Sequence, residues 1–170
     1  NVVDQEKVAI DFTDAAYDVF IKVTEAAVVV IARSWPLLLA GCAARNPMDL
    51  TCGSYFGGRK PADGRIDWTQ SAVQIYNLIR GVTHPYPGAF TTIGGKKLLI
   101  WSAWPVEGHG EPGTIVDRAP LRIGTGDGLL ELRSLQLEGG KEFAAADLEV
   151  DACMVFEYRY GLAVMRLKRR

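Results

Sequence analysis

With 170 residues, 48% of them hydrophobic and 23% charged, the chain has an ordinary globular composition and the length of one domain or two small ones. A net charge of −1 excludes the excess of cations that a strongly nucleic-acid-seeking protein carries overall, though not a local patch. Cys42, Cys52 and Cys153 make no metal-ligand spacing and leave one thiol over in any disulfide scheme, so no metal is expected and a reducing cytoplasm fits best.

The chain opens at Asn1 with no signal peptide, and is expected to be a piece of something longer. Residues 6–10, with Val8 and Ile10, read as the end of a strand. Thr13 is placed to cap a helix whose stripe is Tyr17, Phe20, Ile21, Thr24, Ala27, Val28 and Ile31. Asp14 and Asp18 sit near its positive end. Val19, Val23 and Val30 make the opposite side apolar too, so this helix wants partners on more than one face. The run Ala26–Ala32 is bracketed too closely by Lys22, Glu25 and Arg33 for a membrane span, and reads as a buried helix. Trp35-Pro36 should interrupt it, with a short second helix from Pro36 to Leu39 or Ala40 closed by Gly41.

Gly57, Gly58, Pro61 and Gly64 mark a linker over 53–68. Thr69 is the expected N-cap of a second helix with its stripe at Ala72, Ile75, Tyr76, Ile79 and Val82. Arg80 suits the last turn and Gly81 a left-handed exit. Pro85 and Pro87 then fix an extended corner. From Ala89 the period becomes two. Phe90–Ile93, the Gly94-Gly95 turn and Lys97–Val106 predict a hairpin, with Leu98, Ile100 and Trp104 on one side and Leu99, Trp101 and Ala103 on the other. Short strands are expected at 114–116 and 121–123, with Pro120 at an edge. Asp127-Gly128 sets a tight turn. The opposed phases of Leu130/Leu132 and Leu135/Leu137 predict a bulge at Arg133-Ser134. Ala144–Leu148 begins a short helix. The expected class is α+β: helices followed by five or six curved strands in a small OB-like β-barrel.

The segments Arg65-Ile-Asp-Trp68, Ile75-Tyr-Asn-Leu-Ile-Arg80 and Pro85-Tyr-Pro-Gly-Ala-Phe90 occur together, followed by Lys97-Leu-Leu-Ile-Trp101, Pro112-Gly-Thr114, Gly126-Asp-Gly128 and Leu135-Gln-Leu137. In this order they resemble the formyltransferases that use 10-formyltetrahydrofolate. These include methionyl-tRNA formyltransferase and the sugar-nucleotide enzymes, such as UDP-4-amino-4-deoxy-L-arabinose formyltransferase. The resemblance covers about residues 5–148, with gaps. It implies that 1–52 is the helical tail of an N-terminal, Rossmann-like catalytic domain and 53–68 a linker. Residues 69–148 would then be the C-terminal OB-like domain, while 149–170 departs from the family as a divergent tail, read as an added strand, a junction to a further domain or, most simply, a solvated basic end.

Formyl transfer needs a neutral amine, a relay for its proton, donors aimed at the oxyanion and a folate pocket. In the resembled family an Asn, a His and an Asp supply these, and none maps onto this chain; Asp4 lacks the flanking Gly and Thr. His84 in its turn and His109 between glycines are paired with no nucleophile by spacing. The expectation is therefore no catalytic residue here, with 10-formyltetrahydrofolate held by another part. Tyr55, Arg59, Lys60 and Arg65 are the candidate substrate-binding residues, although solvated charge is the commoner use of such cations. Tyr55 and Phe56 read best as a staple for the loop, and Trp68, Trp101 and Trp104 as core aromatics. The acceptor would be an amino-sugar nucleotide or initiator tRNA, with no membrane and with self-association open. Two other readings compete: a stand-alone OB-like RNA-binding module and an inactive truncated remnant.

Overall fold

In the computed structural model, which describes residues 1–149 and 156, the chain falls into two units, Asn1–Lys60 and Pro61–Arg170. The first unit is built on one long helix, α1 (Ala16–Leu39). It starts after the expected Thr13: Asp14 N–H donates to the Asp11 carbonyl at 3.1 Å, making a turn first, and Asp18 accepts from Ala15 N–H at 2.8 Å at the true N-terminus. Lys22 bridges Asp11 and Asp14, at 2.8 and 2.6 Å.

The expected break at Trp35-Pro36 does not occur, and Pro36 lies inside α1. A proline there removes one intrahelical donor, but its carbonyl still accepts from Ala40 N–H at 3.0 Å, so the last turn closes. Residues 6–10 form no strand; the pairing described in this unit is a single bridge between Val2 and Asn46. An extended segment without a neighbouring strand has no ladder to join. The expected burial of α1 also fails: Phe20, Val23, Val28, Ile31 and Leu39 are exposed, and its buried residue is Ser34. Among the described residues no helix is long and apolar enough to cross a membrane.

The second unit is a sheet with a helix. Helix α2 (Ala72–Val82) buries the whole predicted stripe of Ala72, Ile75, Tyr76, Ile79 and Val82. Its cap is Ser71, not Thr69: the Ser71 hydroxyl accepts from Gln74 N–H while Gln74 Oε1 accepts from Ser71 N–H. Thr69 is held instead by Asp67, whose carboxylate takes both its N–H and its hydroxyl. Gly81 stays within the helix, and the exit is made at Thr83, whose N–H donates to Ile79 O at 2.9 Å.

Six antiparallel strands follow: β1 (Ala89–Ile93), β2 (Lys96–Val106), β3 (Ile115–Arg118), β4 (Leu121–Gly124), β5 (Leu129–Leu137) and β6 (Glu142–Ala144). Their order is β1-β2-β5-β4-β3, with β6 on β5. This is the expected α+β class. The expected helix after Ala144 is one 3₁₀ turn, Ala145–Asp147.

The β1–β2 hairpin turns on Gly94 and Gly95, both at positive φ. The bulge expected at Arg133-Ser134 is present, and β2 slips to match it. Ile100 faces Leu135, Ser102 faces Ser134 and Ala103 faces Leu132, so Trp101 and Arg133 each fall out of register. Leu98 and Ile100 therefore share the core with Ala103, contrary to the simple alternation, which put Trp104 there; Trp104 is half-buried and packs against the core, and Trp101 is half-buried instead of taking the core role expected of it. Trp68 does occupy the core, its indole N–H donating to Thr91 at 3.1 Å. Ile66, Ile75, Ile79, Ile100, Ile123, Leu130 and Leu135 belong to the same core. Burying each such side chain contributes roughly 1.5–3 kcal/mol.

The β4–β5 turn is pressed against the start of α2. Gly126 N–H donates to the carbonyls of Trp68 and Gln70, and Asp127 O accepts from Ala72 N–H at 2.8 Å, satisfying a donor that the helix itself leaves orphaned. A Cβ on Gly126 would lie 1.9 Å from Thr69 O. Gly126→Ala is thus expected to cost about 3 kcal/mol or more in urea unfolding, because backbone cannot move aside as a side chain can. Gly94→Ala, in open space at φ +54°, should cost only about 1–2 kcal/mol.

Candidate functional site

The sequence candidates fall on both units. Tyr55, Arg59 and Lys60 belong to the first and are exposed; Arg65 belongs to the second and is partly buried. Tyr55 and Phe56 are 95% and 86% exposed, so they do not staple the loop to anything. Arg65 follows a 3₁₀ turn, Pro61–Gly64, and its N–H donates to Ala62 O at 3.2 Å. The next N–H, of Ile66, donates to Phe90 O at 2.8 Å and forms a parallel bridge to β1. The backbone of Arg65 is thereby fixed beside the sheet. Asp4, set aside on sequence grounds, is tied to Arg33 at 2.6 Å and to Ser34. Arg33 above all, then Ser34, hold its carboxyl well below the usual carboxylate range.

A second group was not visible in the sequence. Trp101, turned out of register by the β2 slip, carries the His84 ring flat against it, with centroids 3.8 Å apart and planes at 15°. His84 Nε2 lies 3.2 Å from Glu142 Oε2 on β6, and Glu142 Oε1 accepts from the Ser134 hydroxyl on β5. The Trp101 indole N–H donates to Gln136 at 2.8 Å, and Gln136 donates on to Gly140 O. Thr83 donates to the Trp101 carbonyl at 2.9 Å. Gly88 is required at the edge of the indole, since a Cβ there would come within 2.8 Å of Cζ3.

One carboxylate thus joins the corner after α2 to β5 and β6. His84 is oriented after all, but toward a carboxylate already engaged by Ser134. No hydroxyl is left activated by the imidazole, so the group positions chain segments and does not make a nucleophile. His84 and Glu142 are 58 residues apart, and no local pattern could have linked them. His109 is exposed among glycines, as expected.

The cavity described in the first unit does not fit a folate. A cavity of about 190 Å³ in the first unit is lined by Val3, Val30, Ile31, Trp35 and Leu38, with Asp4 and Ser34 at its polar side. That lies below the roughly 300–1,000 Å³ of pockets that enclose ligands of drug size. Among the described residues no group of three or more His, Cys, Asp or Glu is placed to hold a metal.

Residues 59–149, more than half of the chain, match the model of a family described as formyl transferase, C-terminal domain. Crystal structures of HypX from Aquifex aeolicus have a similar fold. One variant is 20% identical with a TM-score of 0.59, over 81% of this chain and 25% of the HypX chain. The complex of HypX with tetrahydrofolic acid is 19% identical with a TM-score of 0.58, over 89% of this chain and 30% of that one. The chain therefore spans between a quarter and a third of the HypX chains it matches.

Glu142 makes the network pH-dependent. Ser134 first, then His84, hold its carboxyl below the usual carboxylate range. A lowered folded-state pKa adds stability that is present above the unfolded value, about 4.3, and is lost as pH falls through the folded one. The melting temperature of wild type should exceed that of Glu142→Gln at pH 6, and the gap should narrow as pH falls below the unfolded value. A gap that stays constant across that range would show that the carboxylate carries no such role.

Proposed function

Because the chain belongs to the formyl transferase C-terminal domain family, we propose that it is the acceptor-positioning part of an enzyme moving a formyl group from 10-formyltetrahydrofolate to an amine. The family match over 59–149 is the observation that carries this reading. The tetrahydrofolate complex of HypX supports a folate donor. The donor supplies the activated formyl carbon. In this reading its pocket and the proton relay are provided by residues outside this chain, because the Asn, His and Asp of the resembled family do not map onto it and both of its histidines are unsuited to the relay. Tyr55, Arg59, Lys60 and Arg65 remain the proposed acceptor contacts, and a cytoplasmic setting the proposed one.

Charge favours an amino-sugar nucleotide over initiator tRNA as acceptor. Between residues 61 and 149 there are 8 Lys and Arg against 11 Asp and Glu, a net charge of −3. Polyanion binding draws its affinity from the release of counterions by excess cations, and this stretch has none to spare. A nucleoside diphosphate sugar asks for far fewer cations, together with polar and aromatic groups. The same balance weighs against a stand-alone RNA-binding module.

Two measurements separate these readings. In a gel shift, initiator tRNA should be retained weakly at about 50 mM salt and lost by about 200 mM. In NMR titration, a UDP-linked amino sugar should shift resonances at Tyr55, Arg59 and Arg65, and Arg59→Ala with Lys60→Ala should weaken the response about tenfold. Retention of tRNA at the higher salt, with no response to the sugar nucleotide, would reverse the choice of acceptor. With 10-formyltetrahydrofolate and the amine supplied, this chain alone should show no turnover.

A further inference from the structure

Phe156 lies beyond the stretch that matches the family, yet it is a core residue of the second unit. Its relative exposure is 0%. Its ring meets Trp68 edge-on, with centroids 5.6 Å apart and planes at 68°. Its N–H donates to the Gly113 carbonyl at 2.8 Å. Gly113 has φ +79°, and a Cβ there would lie 2.5 Å from the Phe156 carbonyl oxygen. Backbone thus meets backbone at one end of the contact, and ring meets ring at the other. The basic-tail reading of everything after Glu149 does not hold at this residue.

An aromatic wall, an apolar surround and a backbone acceptor together are what recognises an aromatic residue of an extended peptide. Here the recognised residue comes from the chain itself. We propose that Phe156 is an anchor residue: it plugs a slot between Trp68 and Gly113, and the slot emptied of that ring takes a small aromatic molecule in its place. The core of the second unit then includes a residue beyond the family match, which ends at 149. This inference is independent of formyl transfer, since neither Trp68 nor Gly113 is assigned to an acceptor or a donor.

The contact can be read in the unaltered chain. Amide hydrogen exchange by NMR should show the Phe156 N–H protected to a degree comparable with Ile123 or Leu130 in the core. Exchange at the rate of an open chain would overturn the anchor. In the full-length chain, Phe156→Ala should lower the melting temperature by roughly 10 °C or more, and Phe156→Leu should retain most of that loss. Benzene at saturation should raise the melting temperature of Phe156→Ala and leave wild type unchanged, because an apolar cavity lined by aromatic and aliphatic side chains stays dry and accepts such a molecule. Equal benzene responses in the two chains, or an unaltered melting temperature in Phe156→Ala, would also overturn it.

Discussion

Backbone meets backbone where the β4–β5 turn presses on the start of α2, and the second unit depends on that contact. Gly126 can approach Thr69 only because it has no Cβ. In return its N–H reaches the Trp68 and Gln70 carbonyls, and the neighbouring Asp127 carbonyl caps Ala72. The same economy recurs at Gly124, where a Cβ would lie 2.3 Å from Glu111 O, and at Gly113 against Phe156. Helix and sheet are registered to each other by hydrogen bonds before side chains fill the space between them. Trp68 then sits at the focus: its carbonyl holds Gly126, its indole N–H is satisfied by Thr91, and its ring packs on Phe156. Burying so large an aromatic with its N–H paired gains the apolar area without an orphaned donor.

The outer network sits beside one slip in register. Were β2 and β5 paired without interruption, period-two alternation would keep Leu98, Ile100, Ser102 and Trp104 on one side and Trp101 on the other. The paired bulges at Trp101 and Arg133 reset the phase beyond that point, so that Ala103 enters the core in place of Trp104. Trp101 stays half-buried, where His84 stacks on it and reaches Glu142. The corner after α2 is thus fastened to β6 at the bulge itself. The same slip puts Arg133 over the Trp104 ring, at 5.3 Å, and within 3.6 Å of Glu131.

Where one local pattern dominated, the sequence was a good guide. The five-residue stripe of α2, the Gly94-Gly95 hairpin, the Arg133 slip and the α+β class all rest on periodicity or on glycine conformation, which act over a few residues. Errors arose where two local groups competed or where the partner was distant. Thr69 and Ser71 are both competent caps, and Asp67 decides between them by capturing Thr69. Pro36 reads as a breaker, yet α1 runs through it, and its own carbonyl closes the last turn on Ala40 N–H. Val8 and Ile10 alternate like a strand without a neighbour to pair with. The burial of Trp101, Tyr55 and Phe56 cannot be inferred from hydrophobicity, because it depends on register and on what packs nearby. Of the candidate site, the exposed cations were legible and the His84–Trp101–Glu142 contact was not, since it joins residues 84, 101 and 142 through the topology alone.

Charge placement bears on the acceptor more strongly than the count of cations does. Lys97 faces Glu138, Arg122 faces both Asp117 and Glu131, and Arg133 shares Glu131, all within 4 Å. Exposed pairs of this kind contribute little to stability, so a phosphate could displace them at small cost. Their carboxylates would stay behind, however, and each would repel the incoming anion at close range. A nucleic acid laid across this sheet would meet alternating attraction and repulsion along its length, and would gain little counterion release.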